Sequence, residues 1–133
     1  AVAVVTCELA EPGSFGRIVR SRGRVQAIVE AKDAGPETLK IREINTGIYL
    51  VRADVLSELL PKIKSQNKQG EFYLTDIIAL AIEAGLTVEG LKADPRVALG
   101  VNTQAELSSA TKLAFQRKNA QLLEAGVMML DPN

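Results

Sequence analysis

A chain of 133 residues, 47% apolar and 24% charged, has the size and make-up of one globular domain, and folding buries roughly two-thirds of its unfolded surface. Sixteen basic residues against sixteen acidic ones leave no global field to draw in nucleic acid or an anionic membrane, and no apolar run approaches the ~20 residues of a membrane span. Histidine is absent and cysteine occurs once, at Cys7. That excludes a Ser-His-Asp triad, a histidine proton shuttle, the usual zinc sites and an internal disulfide framework.

The first element, a buried strand, is predicted over residues 1–9. A turn cluster follows at Glu11-Pro12-Gly13-Ser14. Residues 17–30 read as a hairpin that turns at Ser21-Arg22-Gly23. Residues 32–40 read as an exposed polar loop, and 41–51 as a strand in which Gly47 marks a bulge or a close approach. The next helix is capped by Asp54, carries Val55, Leu56, Leu59, Leu60 and Ile63 on its apolar stripe, and ends or kinks at Pro61. A second helix starts at Thr75 or Asp76 and stops at Gly85. Short strands are expected at 86–91 and 97–101. The last helix opens on the capping box Thr103-Gln104-Ala105-Glu106 and closes on Gly126. Alternating strands and helices make the fold class α/β. A strand pattern beginning at residue 1 without methionine, and an apolar run giving way to a turn at the far end, lead us to expect a segment of a longer protein. With no basic leader ahead of an apolar core, the expected compartment is the cytoplasm.

Polar groups inside apolar stretches mark the candidate site. Asn45 costs about 1–3 kcal/mol if buried without a partner, so it meets either strand-edge backbone or a ligand such as a diol or an acetamido group. Glu30 ends an apolar strand, where it either accepts two hydroxyls, as a sugar ring offers, or pairs with Lys32. Gly13 and Gly16 frame Ser14-Phe15 and serve either a turn or close contact with a ligand. Tyr73 and Thr75 point the same way if the segment is extended, and Thr75 suits a helix N-cap equally well. Asn102 is a turn residue or an oxygen ligand for magnesium, although no carboxylate is evidently near it. Cys7 reads as inert core.

Five segments in succession, Gly-Ser-Phe-Gly-Arg-Ile-Val-Arg at 13–20, Ile-Val-Glu-Ala-Lys-Asp at 28–33, Glu-Ile-Asn-Thr-Gly-Ile-Tyr at 43–49, Gln-Gly-Glu-Phe-Tyr-Leu-Thr-Asp at 69–76 and Gly-Val-Asn at 100–102, carry a resemblance. The chain resembles the bifunctional N-acetylglucosamine-1-phosphate uridyltransferase / glucosamine-1-phosphate acetyltransferase family, over essentially its whole length. The resemblance implies a partial Rossmann-like nucleotidyltransferase domain, a mixed sheet with flanking helices. Residues 1–102 would be its sugar-binding half, 103–126 a linking helix, and 127–133 the lead-in to an absent left-handed β-helix. It makes Gly16, Glu30, Asn45, Tyr73 and Thr75 contacts to the N-acetylglucosamine moiety, and Asn102 a ligand of Mg2+. It implies that UTP and N-acetylglucosamine-1-phosphate become UDP-N-acetylglucosamine and pyrophosphate for cell-wall synthesis, with no catalytic residue in this segment, and a homotrimer for the complete protein. The family's glycine-rich nucleotide loop and metal-binding aspartate have no counterpart here, so the segment alone is expected to be inactive. The alternatives are another sugar-1-phosphate as substrate, a non-catalytic module that binds sugar nucleotide, or one piece of a nicked enzyme.

Overall fold

The computed structural model describes residues 1–98, 100, 101 and 103–132. The chain divides into two compact units, residues 1–97 and those from 98 onward. The first unit is built on a five-stranded sheet of order β3-β2-β4-β1-β5. Its strands are β1 (Val2–Glu8), β2 (Arg17–Ser21), β3 (Arg24–Val29), β4 (Glu43–Val51) and β5 (Val88–Lys92). β1 runs parallel to β5 and antiparallel to β4, so the sheet is mixed and β1 lies in its interior.

The β2–β3 hairpin turns at Arg22 (φ 49°) and Gly23 (φ 81°). Two consecutive left-handed residues give the turn whose twist matches antiparallel strands. β4 carries a bulge. Val4 pairs with Tyr49 and Thr6 with Asn45, so Thr46, Gly47 and Ile48 all face Val5. Gly47 takes φ 81° there, and the bulge is held by Thr46 Oγ1 donating to Val5 O at 2.8 Å and by Gly47 N–H donating to Asn45 Oδ1 at 3.0 Å.

Helices α2 (Ala53–Leu59) and α3 (Ile77–Glu83) cover one face of the sheet. Val55, Leu59, Ile77, Ile78 and Ala81 pack there against Val2, Val4, Ile18, Val25 and Ile28. On the opposite face Cys7 and Ile44 are fully buried at one end of the strands, while Leu50 at the other end is 77% exposed. α3 ends in a Schellman motif, Leu86 N–H donating to Ala81 O at 2.9 Å and Gly85 N–H to Ile82 O at 2.9 Å, as a left-handed glycine at C′ allows. In the second unit, α4 (Gln104–Glu124) has the expected capping box, Thr103 and Glu106 each bonding the other's backbone N–H. It closes on Gly126 by the same motif as α3. Among the described residues no helix is long and apolar enough to cross a membrane.

Four expectations are corrected. The 32–40 loop contains a helical turn, α1 (Pro36–Leu39), with Pro36 at its first position, where a missing N–H costs nothing. Asp54 does not cap α2. Arg52 is the N-cap residue, and its guanidinium engages the Asp54 carboxylate inside the first turn. Thr75 does not cap α3, because its hydroxyl is used elsewhere. Of the strand expected at 97–101, Val97 and Ala98 lie instead in a 3-10 turn over Pro95–Ala98. Asp94 starts that turn by accepting from Arg96 N–H at 2.9 Å and Val97 N–H at 3.0 Å, and Pro95 fixes its φ.

Candidate functional site

Gly16 is where the pieces meet. It precedes β2, and its carbonyl accepts the Asn45 N–H at 2.9 Å, which ties the hairpin to β4. A Cβ at position 16 would lie 3.0 Å from Ile28 Cγ2 and 3.3 Å from each oxygen of Glu30. The Glu30 carboxylate therefore rests against a residue without a side chain. Thr75, buried in the middle of the 3-10 turn Leu74–Asp76, donates its hydroxyl to Glu30 Oε1 at 3.1 Å. Lys32 is not the partner of Glu30, since its ammonium donates to Gln69 at 3.2 Å.

Asn45 is half-buried on the last pair before the bulge. Its side-chain oxygen already accepts from Gly47 N–H, so the amide has answered one of its own demands locally. Tyr49, just past the bulge, brings its hydroxyl close to Asn45 and within the field of Glu30. That oxygen is buried without a well-formed hydrogen bond among the described residues. Burial pushes its pKa up to about 12, with Glu30 adding to the effect and Asn45 opposing it.

Tyr73 is half-buried at the rim. Desolvation, then the carboxylates of Asp33, Glu71 and Glu30, raise its pKa above the usual phenol value. Asp33 accepts Lys68 N–H at 3.0 Å through one oxygen and holds the other buried without a partner. It also raises the pKa of Asp76, whose burial is the larger cause. The structure thus brings Gly16, Glu30, Asn45 and Thr75 together and sets Tyr73 beside them. Asn102 lies outside the described residues.

Sequence reasoning missed Asp33, Asp76 and Tyr49. Asp33 sat in a stretch of exposed composition, and its burial depends on the 67–70 segment, which is distant in sequence. A hollow of about 660 Å³ lies away from this cluster, between the hairpin turn and β5, and is lined in part by Arg20, Val25, Ile82, Leu86 and Gly90. A smaller one of about 290 Å³ borders it at Tyr49, Leu74 and Ile77.

Arg20 makes a two-pronged contact with Glu43, Nε to Oε2 at 2.8 Å and Nη2 to Oε1 at 2.6 Å, and the Thr6 hydroxyl donates to the same Oε1 at 2.6 Å. These contacts, Arg20 foremost, hold the Glu43 carboxyl below its ordinary pKa. The charges are spent on one another and anchor the start of β4, one turn of the pleat before Asn45. Cys7 is fully buried, and desolvation raises its thiol pKa above the ordinary value, which leaves it inert.

A mixed sheet with helices packed on it, and polar groups gathered where strands end, defines a partial Rossmann-like α/β domain. Its backbone superposes on a putative glucose-1-phosphate thymidylyltransferase from Bacillus anthracis with a TM-score of 0.61 and 24% identity, over 85% of this chain and 43% of that one. The chain corresponds to a segment of the bifunctional GlmU proteins. It is 57% identical over 131 residues to bifunctional protein GlmU of Bdellovibrio bacteriovorus and 44% identical over 131 residues to that of Carboxydothermus hydrogenoformans. These alignments take in 98% and 97% of this chain, which spans 29% of the length of either relative. No protein-family profile matches it.

Proposed function

We propose that this chain forms the sugar-phosphate side of a uridyltransferase site that joins UTP and N-acetylglucosamine-1-phosphate into UDP-N-acetylglucosamine and pyrophosphate. The observation that carries the reading is the convergence of Glu30, Thr75 and Asn45 on the bare backbone of Gly16. Glu30 accepts hydrogen bonds from ring hydroxyls. Thr75 holds one of its oxygens, so the carboxylate is oriented before ligand arrives. Asn45 presents an amide to the acetamido group, and Gly16 leaves room for the ring. The close similarity to GlmU proteins supports the choice of sugar and nucleotide.

In the reaction a phosphate oxygen of the sugar attacks the α-phosphorus of UTP in line, and pyrophosphate departs. The residues here contribute positioning, worth several kcal/mol when the reacting atoms are held about 3–3.5 Å apart. Magnesium, when bound, neutralises the phosphates. Among the described residues no three acidic or cysteine side chains are grouped to hold an ion. Asn102 and polypeptide beyond this segment are the proposed source of its ligands. Under this reading the complete protein is a cytoplasmic homotrimer serving cell-wall precursor synthesis and also carries acetyltransferase activity, while this segment does not turn over UTP alone.

Calorimetric titration with N-acetylglucosamine-1-phosphate and glucose-1-phosphate tests the proposal. We expect the first to bind more tightly, binding to persist without magnesium, and Asn45→Ala to weaken it by about tenfold or more. Absence of binding by either sugar phosphate would overturn the reading. A preference for glucose-1-phosphate would favour a nucleotidyltransferase for that sugar, as the name of the Bacillus anthracis structure suggests.

A further inference from the structure

Arg17 is a charged residue only 3% exposed. Its two terminal nitrogens both turn back along the chain, Nη2 donating to Gly13 O at 3.0 Å and Nη1 to Phe15 O. Its Nε is buried without a hydrogen-bond partner, and no acidic residue among the described residues forms an ion pair with it. Burying a guanidinium with neither counter-ion nor full hydrogen bonding is costly. A fold tolerates it where the rigid fork does something a smaller residue cannot, and here it spans two carbonyls of one loop at once.

That loop ends at Gly16. The pairing between β2 and β4 is a single bridge, Arg17 with Ile44, flanked by the Asn45 N–H on Gly16 O. The two walls of the candidate site, the hairpin carrying Glu30 and the strand carrying Asn45, are therefore joined at the residue whose side chain clamps the 13–15 loop. We propose that Arg17 is a positioning residue. By holding the carbonyls of Gly13 and Phe15 it fixes Gly16 against both Asn45 and Glu30, and so sets the gap into which the sugar fits. The inference deepens the function proposed above and rests on it for the identity of the ligand.

Two variants of the full chain test it, Arg17→Lys, which keeps the charge but replaces the planar two-pronged fork with a single nitrogen, and Arg17→Gln. Amide hydrogen exchange at Asn45 reads the joint directly and needs no ligand. Titration with N-acetylglucosamine-1-phosphate reads the gap. We expect exchange at Asn45 to quicken about tenfold in Arg17→Lys while Cys7 and Ile78 in the core keep their protection, and affinity to fall about tenfold. Arg17→Gln should do more of both. Unchanged exchange at Asn45 in Arg17→Lys would overturn the proposal. So would uniform loss of protection, or unfolding of both variants, either of which would make Arg17 a general stability residue. If the unmodified chain binds no sugar phosphate, the functional reading fails by itself, and exchange at Asn45 still decides the role of Arg17.

Discussion

Placing a methyl group on Gly16 probes the centre of the site. The backbone there is not left-handed, so the penalty of Gly16→Ala comes from contact alone. The new Cβ would stand 3.0 Å from Ile28 Cγ2 and 3.3 Å from both Glu30 oxygens, against an optimum of about 3.5–4.0 Å between carbons. Ile28 is only 7% exposed and part of the core, so it yields little. Overpacking of this kind costs about 1–3 kcal/mol. If Glu30 swings aside, it also gives up its bond to Thr75, worth about 1 kcal/mol or more for a charged acceptor. A total of about 2–4 kcal/mol, with a urea slope of about 2 kcal/mol/M, lowers the unfolding midpoint by about 1–2 M. Circular dichroism in a urea series reads that shift, and titration with the sugar phosphate reads the displaced carboxylate. In a Glu30→Ala background the cost should shrink, because only Ile28 remains to be pushed. An unchanged midpoint, or an equal cost in both backgrounds, would refute the packing of Glu30 on Gly16.

Gly90→Ala should be at least as damaging. A Cβ there falls 2.6 Å from Arg20 Nη2 and 2.7 Å from Val25 Cγ2, so we expect about 1–3 kcal/mol of destabilisation by urea unfolding and release of the Arg20–Glu43 pair, and wild-type stability would count against it. The Tyr49 hydroxyl, held near a pKa of about 12 when folded and about 10 when unfolded, predicts a pH effect. Between those values the unfolded chain has lost a proton that the folded chain keeps, so stability falls as pH rises through the window and is untouched below it. Urea midpoints from pH 8 to 11.5 should show a steeper alkaline decline for the unmodified chain than for Tyr49→Phe; identical slopes would mean that Tyr49 is not buried as described.

Local chemistry made much of the fold legible. Arg22-Gly23 announces a tight hairpin, Gly85 and Gly126 announce helix ends, and Thr103 with Glu106 announces a helix start, because each fixes backbone or hydrogen bonding within a few residues. What escaped was competition for a side chain by a distant partner. Thr75 looked like a helix cap, but Glu30, far away in sequence, takes its hydroxyl. Asp54 looked like another, but there the competitor is local, since Arg52 two residues earlier takes its carboxylate. Asp33 sat in a stretch of polar composition, and only the approach of Lys68 reveals its burial. The order of motifs brought Gly16, Glu30, Asn45 and Thr75 forward as a set. Arg17 and Tyr49 drew no notice, since nothing in an arginine beginning a strand or a tyrosine inside one tells of a buried, half-satisfied polar atom.

The irregularity in β4 shortens distance as well as bending the strand. In an even strand, residues four apart stand about 13 Å from one another, too far for an amide and a phenol to meet. Because three residues are gathered opposite one, Asn45 and Tyr49 occupy the length that Thr6 and Val4 take on the neighbouring strand, about 7 Å. The surplus is two residues, an even number, so both side chains still leave the sheet on the same side. A wrinkle in the backbone thus does the work of a fold, making near neighbours of two polar groups that a straight ribbon would keep apart.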